Sequence, residues 1–395
     1  MGLMPKRRAG PPLNNTGKTE RTVQNRGWSH RVAFFGVLAA LFLLAMACSQ
    51  GQQSTWDAIG PVAEKQLQLF NVILWVMVAV FVAVEGMLLY TLIRYRRRPG
   101  QAKPPQIHGH TALEITWTII PTFLILGLGI WSVFTLFELD EPPDDGPEIL
   151  HVNVTGHQWF FEFEYPDAGG GKRITTANEL RIPVDRPVRL NLESDDVLHS
   201  FWVPKLAGKV DMIPTRTNHM WFQADRDKID EELPATFFGQ CAELCGIAHA
   251  LMRFRVTVMD QADFDSWVAA YSPPPTITEG AQRGQQVFNV NCSLCHTISG
   301  PDDPGLAQSR LDGFLTGGDV VPVPAPNLTD LRTRHTLGAG IEVLSTDNLR
   351  KWITNPEDIK PGNLMSQKAL LYQDGAANLS DDDIDALIEY LLNVR

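Results

Sequence analysis

Two apolar stretches, Leu69–Ile93 and Ile115–Phe137, dictate most of what this chain can become. They contain 25 and 23 residues, which as helices measure about 37 and 35 Å. Either crosses a hydrocarbon core of roughly 30 Å with some tilt. Residues 65–138 therefore read as a two-helix transmembrane hairpin. The loop between the stretches carries Arg94, Arg96, Arg97, Arg98 and Lys103, with no acid before Glu114. The segment after the second stretch carries Glu138, Asp140, Glu141, Asp144, Asp145 and Glu148. The positive-inside bias puts the loop in the cytoplasm and everything beyond Phe137 outside.

Charge divides the chain in the same place. Residues 1–137 have a balance of +8 and residues 138–395 one of −19. Nucleic acid is thereby excluded as a partner, because its phosphates repel so acidic a surface. Residues 1–48 form a basic and then apolar segment, ending in Ala45-Met46-Ala47-Cys48. That order reads as a signal peptide with a lipoprotein-like cleavage box, Cys48 being the lipid acceptor. The alternative is an uncleaved short membrane helix in which Cys48 has no role. Four further cysteines fall in two close pairs, the arithmetic of ligand sites and not of a disulfide framework.

A length of 395 residues allows two or three domains. Residues 148–262 read as all-β. Phe161, Phe163 and Tyr165 alternate with Glu162 and Glu164, and Phe254, Val256 and Val258 alternate with Arg253, Arg255 and Thr257. Residues 272–277, with Pro273, Pro274 and Pro275, form a stiff linker. Residues 278–395 are helical at both ends, with Gly/Pro-rich loops between, so the small domain needs something large at its centre.

That requirement is met by Cys292-Ser293-Leu294-Cys295-His296, a c-type haem attachment sequence. Two thiols three positions apart can each add across a haem vinyl group, while the adjacent imidazole ligates iron. A redox or zinc pair followed by a chance histidine is the alternative. After His296 the only methionine is Met365 and the only histidine His335. Met365 follows Lys360-Pro361-Gly362-Asn363-Leu364, read as a rigid loop presenting the sixth ligand, with His335 as a solvated loop residue. His/Met ligation raises the potential and favours electron transfer.

A second constellation is Cys241-x-Glu243-x-Cys245-x3-His249-x2-Met252, with His199 about forty residues upstream. Thiolate, imidazole and thioether together select copper. A second cysteine beside the first allows two bridging thiolates to hold two coppers sharing one unpaired electron. A disulfide or a zinc site remains possible on spacing alone, but neither requires Met252 or His199.

With both motifs in hand, the chain resembles subunit II of a bacterial haem–copper cytochrome c oxidase with a cytochrome c domain fused at its C-terminus. The resemblance covers residues from about 65 to 395. It implies a multidomain membrane protein: helical hairpin, cupredoxin-like β-sandwich or barrel with a dinuclear CuA-type copper centre, and all-α class I cytochrome c domain. It implies Cys241 and Cys245 as bridging ligands, His199 and His249 as terminal ones, Met252 as a weak ligand and Glu243 as a backbone-carbonyl ligand. The Glu243 side chain resembles one that binds magnesium against subunit I, and Asp211 matches an acid near that interface. Trp159, in Gly156-His157-Gln158-Trp159-Phe160-Phe161, stands where electrons enter the copper domain in the family, although Phe161 replaces a second tryptophan. Glu114 resembles the glutamate at the mouth of a proton-uptake channel in subunit I; its alternative is a solvated acid at a helix N-terminus. No family role carries over to Glu85, within the first span.

The function implied is electron input: from a donor through haem c and copper to the oxygen-reducing site of subunit I, coupled to proton pumping. The donor is cytochrome c or a quinol–cytochrome reductase complex, and subunit III is a further expected partner. The chain is an enzyme only as part of that complex, in a bacterial plasma membrane with its copper and haem domains outside. Three rival readings each differ from it in one feature. A quinol-oxidase subunit lacks the copper ligands, a nitrous-oxide reductase needs a further His-rich domain, and a membrane-tethered electron carrier or copper store needs no large partner subunit.

Overall fold

A computed structural model describes residues 51–101, 105–106, 108–142, 148–271, 281–298, 325–329, 331–373 and 377–393, together with Gly36. The signal segment with Cys48 and the prolines of the linker lie outside the described residues.

The hairpin consists of α1 (Pro61–Arg94) and α2 (Thr111–Asp140), each longer than its apolar stretch. Both are apolar enough to cross a membrane, and their side chains there are almost wholly uncovered by protein. In α2 the hydroxyls of Thr116, Thr118 and Thr122 donate to the carbonyls four residues back at 2.7–2.8 Å, removing polar groups from the apolar surroundings. The extra length of α1 has a cause. Pro61 fits its first turn, Ile59 and Val62 are buried in the core of the following domain, and Ala63 is buried beside them in the chain. The Ile59 N–H donates to the Lys205 carbonyl at 2.9 Å, and the Ile59 carbonyl accepts from Asp225 N–H at 2.9 Å. At the end of α2 the Trp221 indole donates to the Leu139 carbonyl at 3.0 Å.

Ten strands form two sheets facing each other. They are β1 (Leu150–His157), β2 (Phe160–Tyr165), β3 (Ile174–Ala177), β4 (Glu179–Pro183), β5 (Val188–Ser194), β6 (His199–Trp202), β7 (Lys209–Met212), β8 (Asn218–Phe222), β9 (Ala235–Cys241) and β10 (Arg253–Met259). One sheet has the order β3-β2-β1-β5-β8 and the other β4-β10-β9-β6-β7. The alternation read from the sequence holds: Phe161, Phe163, Tyr165, Phe254, Val256 and Val258 are all fully buried. Phe161 meets Phe254 edge-on at 4.8 Å and Phe201 edge-on at 5.9 Å, so the two sheets lock through aromatic pairs. Helix α3 (Gln261–Ala270) closes one end of the sandwich.

The cytochrome module has α4 (Ala281–Asn291) packed across α8 (Asp381–Asn393). Gly284 makes this crossing possible, since a Cβ there would lie 1.9 Å from the Ala386 carbonyl oxygen. Between them come β11 (Thr336–Leu337), β12 (Glu342–Val343), α5 (Thr346–Thr354), α6 (Pro356–Ile359) and α7 (Leu364–Lys368). The small β11–β12 ladder is an addition to the expected all-α plan.

The two modules are joined by hydrogen bonds along the β4–β10 edge. Arg253 N–H donates to the Ala339 carbonyl at 3.1 Å, and Arg255 to the Gly340 carbonyl at 2.9 Å. Arg181 donates to the carbonyl and hydroxyl of Thr333, and Glu179 accepts from His335 and Thr336. His335 is therefore not merely a solvated loop residue: its ring is largely exposed, but its backbone and Nδ1 engage a buried carboxylate.

Candidate metal centre and haem cavity

The metal centre is assembled by three strand ends. Cys241 ends β9, His199 opens β6 beside it, and the loop from Ala242 to Met252 returns to β10. Cys241 N–H donates to the Met252 carbonyl at 2.9 Å, closing that loop. The sulfurs of Cys241 and Cys245 are free thiols 3.8 Å apart, so the disulfide alternative is not formed. His199 Nδ1 lies 3.8 Å from Cys241 Sγ, and His249 Nδ1 lies 3.6 Å from Cys245 Sγ. Met252 Sδ is 3.8 Å from Cys245 Sγ, and the Glu243 carbonyl oxygen 3.3 Å from Cys241 Sγ. The four other expected donors thus converge on this pair of sulfurs. Gly156 permits this on the β1 side, because a Cβ there would lie 2.8 Å from the His199 ring.

Electrostatics favour a cation. The Cys241 thiol is acidified by the hydrogen bond from Cys245, against the cost of its burial, and further by His199. The same hydrogen bond, together with burial, raises the Cys245 thiol. The His199 ring loses proton affinity by burial but gains more from Asp196, whose carboxylate meets Nε2 at 2.8 Å. Asp196 thereby fixes the ring so that Nδ1 faces the sulfurs, the arrangement by which outer carboxylates orient metal-bound imidazoles. Sequence reasoning missed Asp196; the signal available was an acid three residues before a ligand histidine. Soft sulfur beside imidazole, with a thioether added, fits copper better than zinc.

The second site is an apolar-walled cavity in the cytochrome module, lined by Cys292, Cys295, His296 and Met365. The two cysteines sit in the turn that ends α4, where Cys295 and His296 N–H groups both donate to the Cys292 carbonyl. Burial pushes the Cys292 thiol up to about 12 and the Cys295 thiol upward too. The His296 ring is half-buried, and its desolvation lowers its pKa. Its Nδ1 is engaged by the Pro326 carbonyl at 2.8 Å, leaving Nε2 for a ligand. A neutral imidazole so held fits the axial ligand of haem. Met365 is not in a loop but at the second residue of α7, whose N-cap Asn363 accepts from Ser366 N–H at 2.8 Å. The cap sets the thioether more firmly than the expected loop.

Trp159 lies between the two sites. It is 7% exposed, lines the haem cavity, and its indole N–H donates to the Cys245 carbonyl at 3.0 Å. Gln158 donates to the same carbonyl at 2.7 Å. Glu114 stands apart, exposed in the first turn of α2, where its carboxylate accepts the His110 N–H at 3.0 Å. Asp211 is exposed on β7 and Glu243 on the metal loop.

Comparison with known proteins agrees along the whole described chain. The family described as cytochrome c oxidase subunit II, transmembrane domain, matches residues 48–135, its periplasmic domain matches residues 150–259, and cytochrome c matches residues 281–395. Cytochrome c oxidase subunit 2 of Alkalihalophilus pseudofirmus is 35% identical over 367 residues, spanning 91% of this chain and 96% of its own. That of a Bacillus species is 36% identical over 375 residues, spanning 92% and 96%. The solved periplasmic domain of subunit II of cytochrome oxidase from Bradyrhizobium japonicum is 32% identical, covering 33% of this chain and 94% of its own with a TM-score of 0.28. Since the likeness runs from the hairpin through the β-sandwich to α8, the chain belongs to the cytochrome c oxidase subunit 2 family, in the form that ends in a cytochrome c domain.

Proposed function

We propose that Cys241 and Cys245 bridge two coppers, with His199, His249, Met252 and the Glu243 carbonyl completing the set. The single observation carrying this is the convergence of the four other donors on two free sulfurs 3.8 Å apart. Cys292 and Cys295 bind haem covalently, and His296 and Met365 are its axial ligands. Copper and haem supply one-electron transfer when bound, on the way from an external donor to the oxygen-reducing site of subunit I. Trp159 is the residue through which the copper module receives electrons. In support, one indole donates to the backbone carbonyl of Cys245, whose sulfur is a bridging ligand, and lines the haem cavity at once. The cytochrome module covers this residue, so the fused haem is the immediate donor and an external protein delivers to the haem.

The membrane-anchored chain acts within the haem–copper oxidase beside subunit I; subunit III is a further neighbour. The β-sandwich and cytochrome modules lie on the extracytoplasmic side, a reading supported by five basic residues in the hairpin loop. The Glu243 side chain, with Asp211, faces subunit I and takes part in binding magnesium there. Glu114 caps α2 and borders the proton-uptake mouth of subunit I. The segment ending at Cys48 is a signal, with Cys48 lipidated after cleavage. The domain limits are 65–138, 148–262 and 278–395.

Metal and pigment analysis of the purified oxidase tests this reading. Two coppers and one haem resistant to acid-acetone extraction are expected per copy of this chain. One copper, or extractable haem, contradicts it.

A further inference from the structure

Lys360 is an unusual residue to find at the boundary between the two modules. It follows α6, is 4% exposed, and directs its ammonium out of the cytochrome module into the β1–β2 turn. There Nζ donates to the Trp159 carbonyl, and more weakly to the Gly338 carbonyl at 3.4 Å. The lysine backbone is itself fixed: its N–H donates to Pro356, and its carbonyl accepts from Asn363 Nδ2 at 2.8 Å. Asn363 is the cap of α7, the helix that carries Met365. Burying an ammonium is costly unless its hydrogen bonds are made, and burial pushes this one down to about 7. What the site gains in return is a donor that spans two modules.

We propose that Lys360 is a positioning residue for electron passage between the modules, clamping the Trp159 backbone so that the indole stays on the Cys245 carbonyl. The proposal rests on the haem and copper assignments above. One residue, Trp159, receives the cytochrome module at its carbonyl and touches the metal loop at its indole. A side chain that holds the first contact therefore sets the geometry of the second. The step served is the passage of one electron, from ferrous haem, left ferric, to the oxidised copper pair, with no bond made or broken and no proton transferred.

Lys360→Met keeps the buried stem and removes the donor. In the purified oxidase complex, photochemical reduction of the haem should be followed by copper reduction several-fold slower than in the unaltered protein, because the Trp159 backbone has lost its clamp. The haem and copper absorption bands stay unchanged. Hydrogen exchange of residues 156–162, measured on the full chain with or without its cofactors, should lose protection. Lys360→Arg, which retains a charged donor, should restore both. Should the methionine variant not accumulate, Lys360→Gln, too short to span the gap, replaces it in the comparison with arginine. Unchanged transfer and protection with both pigments intact overturn the proposal, as does an arginine variant as impaired as the neutral one. Absence of haem or of the mixed-valence copper band from the unaltered protein overturns the cofactor assignments instead.

Discussion

The carboxylate of Glu179, on β4 of the copper module, accepts the backbone N–H of His335 in the cytochrome module at 2.7 Å. The same oxygen takes the Thr336 N–H at 2.8 Å and its hydroxyl at 2.9 Å, while the second oxygen faces His335 Nδ1 at 3.4 Å. Burial alone would raise the pKa of this acid, which is 1% exposed. The hydrogen bonds from His335 and Thr336 outweigh it and hold the carboxyl below its usual range. Charge-assisted bonds of this kind, in a place without water, are far stronger than exposed ion pairs. The cytochrome module is therefore docked, and not simply tethered.

Glu179→Ala should undock it in part. The N–H groups of His335 and Thr336 lose their acceptor, at a cost of about 1–3 kcal/mol for such unsatisfied groups. Hydrogen exchange across residues 333–343 is expected to speed up accordingly, while the interior of β9 and β10 stays protected. Equal exchange in the two proteins would assign the docking to the arginines and Lys360.

Docking should also depend on pH in a bell-shaped way. The Glu179 pKa is lowered, so its contribution is complete above the ordinary glutamate value near 4.3 and is lost as pH falls through the lowered one. The His335 pKa is raised by its bond to Glu179, so its contribution is complete below about 6.5 and is lost as pH rises through the raised value. Protection of residues 333–343 should peak between about pH 4.3 and 6.5. The alkaline limb will be shallow, because the His335 side chain is 64% exposed and solvent screens it. A profile that rises steadily to pH 9 contradicts this pairing.

Asp196→Asn should weaken copper binding about 10–100-fold without removing a ligand, the usual effect of losing an outer partner of a metal-bound histidine. The asparagine no longer holds the His199 tautomer by charge, so Nδ1 is freed to protonate. Copper retention against a graded chelator, read by the near-infrared band, measures the change; the haem spectrum serves as the internal control.

Met365→Ala should lower the haem potential and open the iron to added cyanide or imidazole. No second methionine follows His296 in the sequence. Redox titration of the variant checks this: an unchanged potential with an unchanged sulfur-to-iron band assigns the sixth ligand elsewhere.

What the sequence disclosed was whatever depends on short-range spacing. The hairpin showed as two long apolar runs, the sheet faces as alternation through Phe161–Tyr165 and Phe254–Val258, and the sites as clustered cysteines and histidines. Met365 was identified as a candidate ligand but placed in a loop, because Pro361-Gly362 outweighed the capping asparagine that follows. Glu179, Lys360 and the first turn of α1 were opaque for another reason. Their partners lie 156 and 201 residues away for the two polar side chains, and across a domain boundary for Val62. No local period encodes such pairs, since only the packed tertiary structure brings the groups together.

The entry of α1 into the β-sandwich has a mechanical consequence. From Pro61 to Leu69 the helix rises about 12 Å above its apolar stretch, and its top is embedded in the same core as Leu206 and Phe222. No hinge separates the bilayer-spanning shaft from the head it carries. A change in bilayer thickness, which tilts a spanning helix, is thus passed to the sandwich through this embedded turn. In membranes of unequal thickness the same chain will present its metal loop at different angles to a neighbouring subunit, and lipid length becomes a lever on how well the two surfaces meet.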